Sequence, residues 1–311
     1  MKQYDVAAIG ELNADLVVTG LNGIPQAGKE IIADRYSITL GSSTAICASG
    51  LSKLGLKTVF VGKVGNDHLG KVVLEGLKKN DVKMDYVVTD DAIKTGLTIS
   101  LSDRKDRALV TYLGSISELK FEDIDLSILD KVRHIHVGSF FLQSKLREGL
   151  PKLFALAKKK NVTTSLDAGW DDTRNWDYGI WDVLPYTDVF FPNETEALHI
   201  AKTGNLSEAV DRLAEKCGTV VVKLGPKGAI AKRGGRVMTQ KTYESLKAVD
   251  TTGAGDSFNA GFLYAFLHDK DLQECLRYGN ACGSISITKY GGASSCATRK
   301  EAEQLMMSEQ R

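Results

Sequence analysis

The run Asp250-Thr251-Thr252-Gly253-Ala254-Gly255-Asp256-Ser257-Phe258 decides how the rest of the chain is read. A polar turn with two glycines leads into Phe258, Ala260, Gly261, Phe262, Leu263, Ala265, Phe266 and Leu267, an apolar, small-residue-rich pattern that predicts a buried helix. Gly253, Ala254 and Gly255 then stand at a helix N-terminus, where unpaired N–H groups and the positive dipole end favour an anion. Glycine at both ends of that triplet lets the backbone approach a phosphate with no side chain in the way. Asp256 adds a carboxylate beside the anion site. Acidic residues are common in first helical turns, but a dipole charge alone leaves the Gly-Ala-Gly before it unexplained. An anion hole with an adjacent base is what transfer of a phosphoryl group to a hydroxyl needs. The base takes the hydroxyl proton, and the amides hold the transferring group and its developing charge.

These nine residues closely resemble the C-terminal signature of the ribokinase-like (PfkB) carbohydrate kinases. The resemblance implies that Asp256 is the catalytic base and that the amides of Gly253, Ala254 and Gly255 form the anion hole.

Composition sets the bounds. At 311 residues and 43% hydrophobic content, the chain is long for one ordinary domain and short for three, so one large domain with an elaboration is expected. Forty basic residues against 39 acidic ones leave a net charge of +1, with no global pull toward nucleic acid or membrane. Cys47, Cys217, Cys275, Cys282 and Cys296 show no C-x-x-C spacing, so free thiols in a reducing cytoplasm are expected rather than a zinc site or disulfides. No apolar stretch is long enough for a signal peptide or a membrane span, which fits a soluble cytoplasmic protein.

From the N-terminus, Val6-Ala7-Ala8-Ile9-Gly10 predicts a buried central strand. Asn13 and Asp15 follow, where ligands bind in open α/β sheets, although both residue types also favour ordinary turns. Gly23 to Lys29 has G-x-x-x-x-G-K spacing, but Glu30 replaces the Ser or Thr that would hold magnesium. Ile31, Ile32, Tyr36, Ile38 and Leu40 predict extended chain instead of the required helix, so a surface loop between strands is expected. Gly41-Ser42-Ser43-Thr44 opens a predicted helix to about Leu54, with its hydroxyls as natural caps. Residues 95–113 alternate about a polar turn from Ser102 to Arg107, a hairpin. From 116 onward strand and helix patterns alternate, the rhythm of a parallel sheet with helices on both faces. His134 and His136 share one side of a strand; with no third ligand nearby in sequence, packing is expected rather than metal.

The family resemblance covers essentially the whole chain, including Val59 to Gly70. It implies a ribokinase-like three-layer α/β fold, with 1–11, 42–94 and 114–311 as the catalytic domain and 12–41 with 95–113 as a small β-sheet lid. Closure of such a lid excludes water from the transfer. In ribokinases the lid sheet packs on a second subunit, which implies a homodimer. The resemblance places Asn13, Asp15 and Gly41 on the sugar. Where the family has Gly-Gly and then a sugar-binding Asn, Ser42 replaces the second glycine and Ser43 or Thr44 stands in reach, which leaves the sugar open. Asp167 to Trp176 resembles the Asp-Pro-Asn…Arg…Trp segment without its Pro-Asn, with Arg174 in the arginine place.

On the ATP side the resemblance implies Asn193 and Glu196, the latter acting on magnesium through water, although a capping box explains the pair equally well. It also implies Lys223, Gly225 and Gly228 in a nucleotide loop, Asn280 on a small-residue helix beside the adenine, and potassium near Asp250 and Thr252. The expected activity is ATP-dependent phosphorylation of a free sugar. A nucleoside kinase of the same superfamily and a catalytically silent sugar-binding regulator are the alternatives.

Overall fold

The computed structural model describes residues 2–103, 107–243 and 246–308. The turn of the expected 95–113 hairpin and the last three residues of the polar tail lie outside the described residues. Along the chain the strands are β1 (Val6–Gly10), β2 (Asn13–Leu21), β3 (Arg35–Leu40), β4 (Thr58–Gly65), β5 (Lys83–Asp90), β6 (Gly96–Asp103), β7 (Arg107–Tyr112), β8 (His134–Val137), β9 (Thr163–Leu166), β10 (Val189–Phe190), β11 (Val220–Lys223), β12 (Ala229–Arg233) and β13 (Arg236–Gln240).

Nine of them form one sheet in the order β13-β12-β11-β10-β9-β8-β1-β4-β5. From β5 to β11 every neighbouring pair is parallel, and β12 and β13 add an antiparallel edge. All five residues of β1 are buried, as a strand covered on both faces requires. Alternate β1 residues feed opposite layers. Ala7 and Ile9 pack in a cluster with Leu153 and Phe154 of the helix Leu150–Lys159. Val6 packs on the other face with Leu51 of the helix Ser43–Lys53 and Phe262 of the helix Ala254–Leu267. The result is helix, sheet, helix.

The remaining strands form a four-stranded sheet, β3-β2-β6-β7, with β2 and β6 parallel and the outer pairs antiparallel. It exposes Tyr36, Ile38, Leu109 and Tyr112. Ile31 and Ile32 depart from the extended-chain expectation. They lie in the irregular, mostly exposed connection before β3, because Ile32 finds no apolar surface to cover it. No helix follows Lys29, so the P-loop-like spacing carries no P-loop. Among the described residues no helix is long and apolar enough to cross a membrane.

Candidate active site

Parallel strands bring their carboxyl ends to one side of the sheet, and the charged residues there come from far apart in sequence. Asp167 follows β9, Lys223 ends β11, and Asn193 bridges to Lys223 while capping the helix Glu194–Ile200. Lys223 Nζ donates to Asp167 Oδ2 at 2.6 Å and to Asn259 Oδ1 at 3.4 Å; Asn259 Nδ2 donates to the same Asp167 oxygen at 2.7 Å. Burial works against the charge of both ion-pair partners, but their mutual attraction wins: Asp167 is held below the usual carboxylate range and Lys223 above the usual ammonium range.

Asp256 is the third residue of the helix Ala254–Leu267, within its first turn. That helix starts from Gly253, whose φ of 72° is a conformation that favours glycine, and it has no side-chain cap. The N–H of Ala254 reaches the Thr251 carbonyl at 3.3 Å, whereas that of Gly255 has no partner among the described residues. The Asp256 carboxylate is half-buried, and Ser43 Oγ donates to its Oδ1 at 2.5 Å. Burial, then the charge of Asp167, push Asp256 up to about 7, against the opposing pull of Ser43 and Lys223.

Glu196 is buried and pushed up to about 8, again by burial and then Asp167. Both its oxygens are engaged, Oε2 by the Asn193 N–H at 2.8 Å and Oε1 by Asn193 Nδ2 at 2.7 Å. One lysine therefore faces three carboxylates, and the two it does not pair directly are the two whose pKa values rise.

The residues expected on the sugar also cluster. Asn13 Nδ2 donates to Asp15 Oδ1 at 3.0 Å, and both residues are buried. Gly41 lies so close that a Cβ there would collide with Asp15 and Asn13. Ser42 and Thr44 both bond to Glu11. The Ser42 hydroxyl donates to the Glu11 carbonyl at 2.7 Å, and the Thr44 hydroxyl donates to the Glu11 carboxylate. Arg174 is exposed on the loop after β9 and forms no hydrogen bond or ion pair with the charged cluster among the described residues.

Gly225 opens a tight turn after β11, and Gly228 lies against the Gln240 backbone. Asn280 is buried, with Nδ2 donating to the Gln240 carbonyl at 3.0 Å. Asp250 accepts from the N–H groups of Thr252 and Gly291, each at 2.9 Å, tying the turn before the helix to the segment at 291. His134 and His136 are fully buried and hydrogen-bonded to Thr163 and Ser165, as packing residues.

Asn259 and Glu11 enter the site without having been singled out in the sequence, and Ser43, expected as a cap or a sugar contact, enters it as a partner of Asp256. Asn259 carried a signal: it lies three residues after Asp256 and so on the same helical face. Glu11 carried one as well, following a strand that ends at the ligand side of a parallel sheet.

Residues 3–299 match the pfkB family carbohydrate kinase. A protein described as an uncharacterized sugar kinase of Archaeoglobus fulgidus is 34% identical over 252 residues, 78% of this chain and 96% of that one. A ribokinase of Arabidopsis thaliana is 30% identical over 317 residues, 97% of this chain and 80% of the relative. Among solved structures, Arabidopsis thaliana ribokinase complexed with ribose and ATP aligns with a TM-score of 0.83 at 27% identity, covering 97% of this chain and 98% of that one. A match running through both sheets and the charged cluster leaves one assignment: the chain belongs to the pfkB family of carbohydrate kinases.

Proposed function

We propose that this carbohydrate kinase transfers the γ-phosphate of ATP to a hydroxyl of a free sugar, with Asp256 as the base. One observation carries the reading: a carboxylate raised to about 7 sits beside an uncapped, glycine-started helix N-terminus. A pKa near the working pH suits a group that must accept a proton and release it again each cycle. Asp256 removes the proton from the acceptor hydroxyl. The amides of Gly253 to Gly255 and the Lys223 ammonium face the negative charge of the transferring group. Asn13 and Asp15 take sugar hydroxyls, where Gly41 leaves room. Asn193, Glu196, Gly225, Gly228 and Asn280 serve the nucleotide side, and Arg174 reaches substrate only if its loop moves.

Asp167, Asp256 and Glu196 outnumber Lys223, an excess of negative charge that would favour a cation carried in with the nucleotide. Among the described residues no three His, Cys, Asp or Glu side chains come together to cage a metal. Magnesium would accordingly arrive on the ATP phosphates, with Glu196 acting through water because Asn193 holds both its oxygens. Bound magnesium supplies charge neutralisation of the phosphates. Potassium beside Asp250 and Thr252 would rely on backbone carbonyls, since the Asp250 carboxylate already accepts two N–H groups. The four-stranded sheet acts as the lid, and its exposed Tyr36, Ile38, Leu109 and Tyr112 favour a homodimer. Five free cysteines suit the cytoplasm.

The test is ADP release from Mg-ATP across free sugars, sugar phosphates and nucleosides, with and without potassium. A strong free-sugar signal that Asp256→Asn abolishes is expected. A nucleoside signal would move the assignment to nucleosides, and silence in a folded protein that binds ATP would overturn it.

A further inference from the structure

The turn Ser42-Ser43-Thr44 is held at more points than its role as a helix start requires. Ser42 adopts φ 68°, a conformation that side-chain-bearing residues rarely take and that surrounding structure must enforce. Its hydroxyl donates to the Glu11 carbonyl at 2.7 Å and accepts from the Ala45 N–H at 3.0 Å. The Thr44 N–H donates to Glu11 Oε1 at 3.1 Å. The Thr44 hydroxyl donates to Glu11 Oε2 and accepts from the Gly138 N–H at 3.1 Å. Glu11 is thus a buried carboxylate, outside the proton-transfer chemistry, that grips the turn by side chain and backbone together. Between the two gripped residues stands Ser43, and its hydroxyl reaches Asp256 Oδ1 at 2.5 Å. The other carboxylate oxygen, Oδ2, has no hydrogen-bond partner among the described residues.

We propose that Ser43 is the positioning residue of the base: it holds Asp256 by Oδ1 so that Oδ2 is left to take the acceptor proton, with Glu11 anchoring the turn that presents Ser43. The inference rests on Asp256 being the base. A hydrogen bond donated to a carboxylate also favours its charged form. The groups facing Asp256 are Ser43 and Cys47 from the helix Ser43–Lys53, Glu11 after β1, Asp167 after β9, Glu196, Lys223 at the end of β11, and Cys296. Asp167 and Glu11 oppose the carboxylate, and Ser43 and Lys223 favour it. Burial pushes the two thiols up, so they stay neutral and contribute no charge. Loss of the Ser43 hydroxyl therefore raises the pKa of the base as well as loosening it.

The experiment is the pH profile of kcat/KM for the sugar at saturating Mg-ATP, for the unaltered protein, Ser43→Ala and Ser43→Thr. Ser43→Ala is expected to move the acid limb up by about one pH unit, the scale of one hydrogen bond to a charged group. The loss would then be about tenfold at pH 6 and smaller at pH 9, with KM for ATP unchanged. Ser43→Thr keeps the donor and is expected to restore the acid limb. An acid limb unmoved in Ser43→Ala, or a threonine variant as impaired as the alanine one, overturns the positioning role. If Asp256→Asn is inactive while Ser43→Ala keeps the normal limb, the positioning role alone falls. Near-normal turnover in Asp256→Asn removes the base assignment itself.

Discussion

Two helices begin on the ligand side of the large sheet, and they begin in opposite ways. At Glu194–Ile200, Asn193 Oδ1 accepts from the Glu196 N–H at 2.9 Å while Glu196 Oε2 accepts from the Asn193 N–H, a closed reciprocal cap. At Ala254–Leu267 the cap is a glycine, with no side-chain bond and a Gly255 N–H that has no partner among the described residues. A helix end that satisfies its own amides holds its fold without help and has little left for an anion. An end left open keeps its amides and dipole for a visitor, at a cost in local stability. Lys223 stands between them, bridged by backbone to Asn193 and 3.5 Å from where a Cβ on Gly255 would sit.

The comparison is most exposed at Asp256. Asp256→Asn should retain ATP binding and lose about 10³-fold or more in kcat, at the upper part of what general bases contribute. A loss under tenfold would make Asp256 a helix charge and erase the contrast. Gly255→Ala should come next, at roughly 10²-fold in kcat, the scale of one anion-hole contact. Its new Cβ meets nothing nearer than 3.5 Å, so melting should shift little. A large melting loss with normal kinetics would mean that the open end serves the fold. At the closed end the balance should invert. Asn193→Ala should cost about 1 kcal/mol of stability, as lost caps do, with less than a tenfold fall in kcat. Urea melts and steady-state kinetics on the same samples separate these outcomes.

The open end was readable because its pattern is local: glycines, an acid and an apolar run within eighteen residues name a helix start. The parallel sheet was readable from the strand and helix rhythm for the same reason. β5 and β13 were not anticipated, since β5 is a half-exposed strand without a clean apolar alternation and β13 is an edge whose partner is only three residues away. The Asp167–Lys223–Asn259 network joins residues up to 92 apart, and no spacing rule reaches that far. Ser42 and Thr44 illustrate another limit. Their residue type named hydroxyls and caps, but which group each hydroxyl meets is set by the φ of Ser42 and by Glu11, more than thirty residues away in the chain.

The smallest expected effect is also the most discriminating about why Asp256 is there. In the unfolded chain its pKa is near the ordinary 3.9, whereas in the folded protein it is raised to about 7. Between these values the folded state keeps a proton that the unfolded state has released. This group's contribution to stability therefore falls as pH rises through the window, and the penalty is complete above pH 7. Asp256→Asn removes the charge and keeps an acceptor for Ser43. The ligand-free variant should accordingly melt a few degrees higher than the unaltered protein at pH 8, with the difference shrinking toward zero near pH 4. Glu196, raised to about 8 chiefly by burial and Asp167, also feels the Asp256 charge, so the variant relieves part of that rise and shifts stability in the same direction. A carboxylate placed only to complement a helix dipole would give the opposite sign, with the variant less stable at pH 8. Thermal melts of the two ligand-free proteins across that pH range read the sign directly, and a variant that melts lower at pH 8 would return Asp256 to the role of an ordinary first-turn acid.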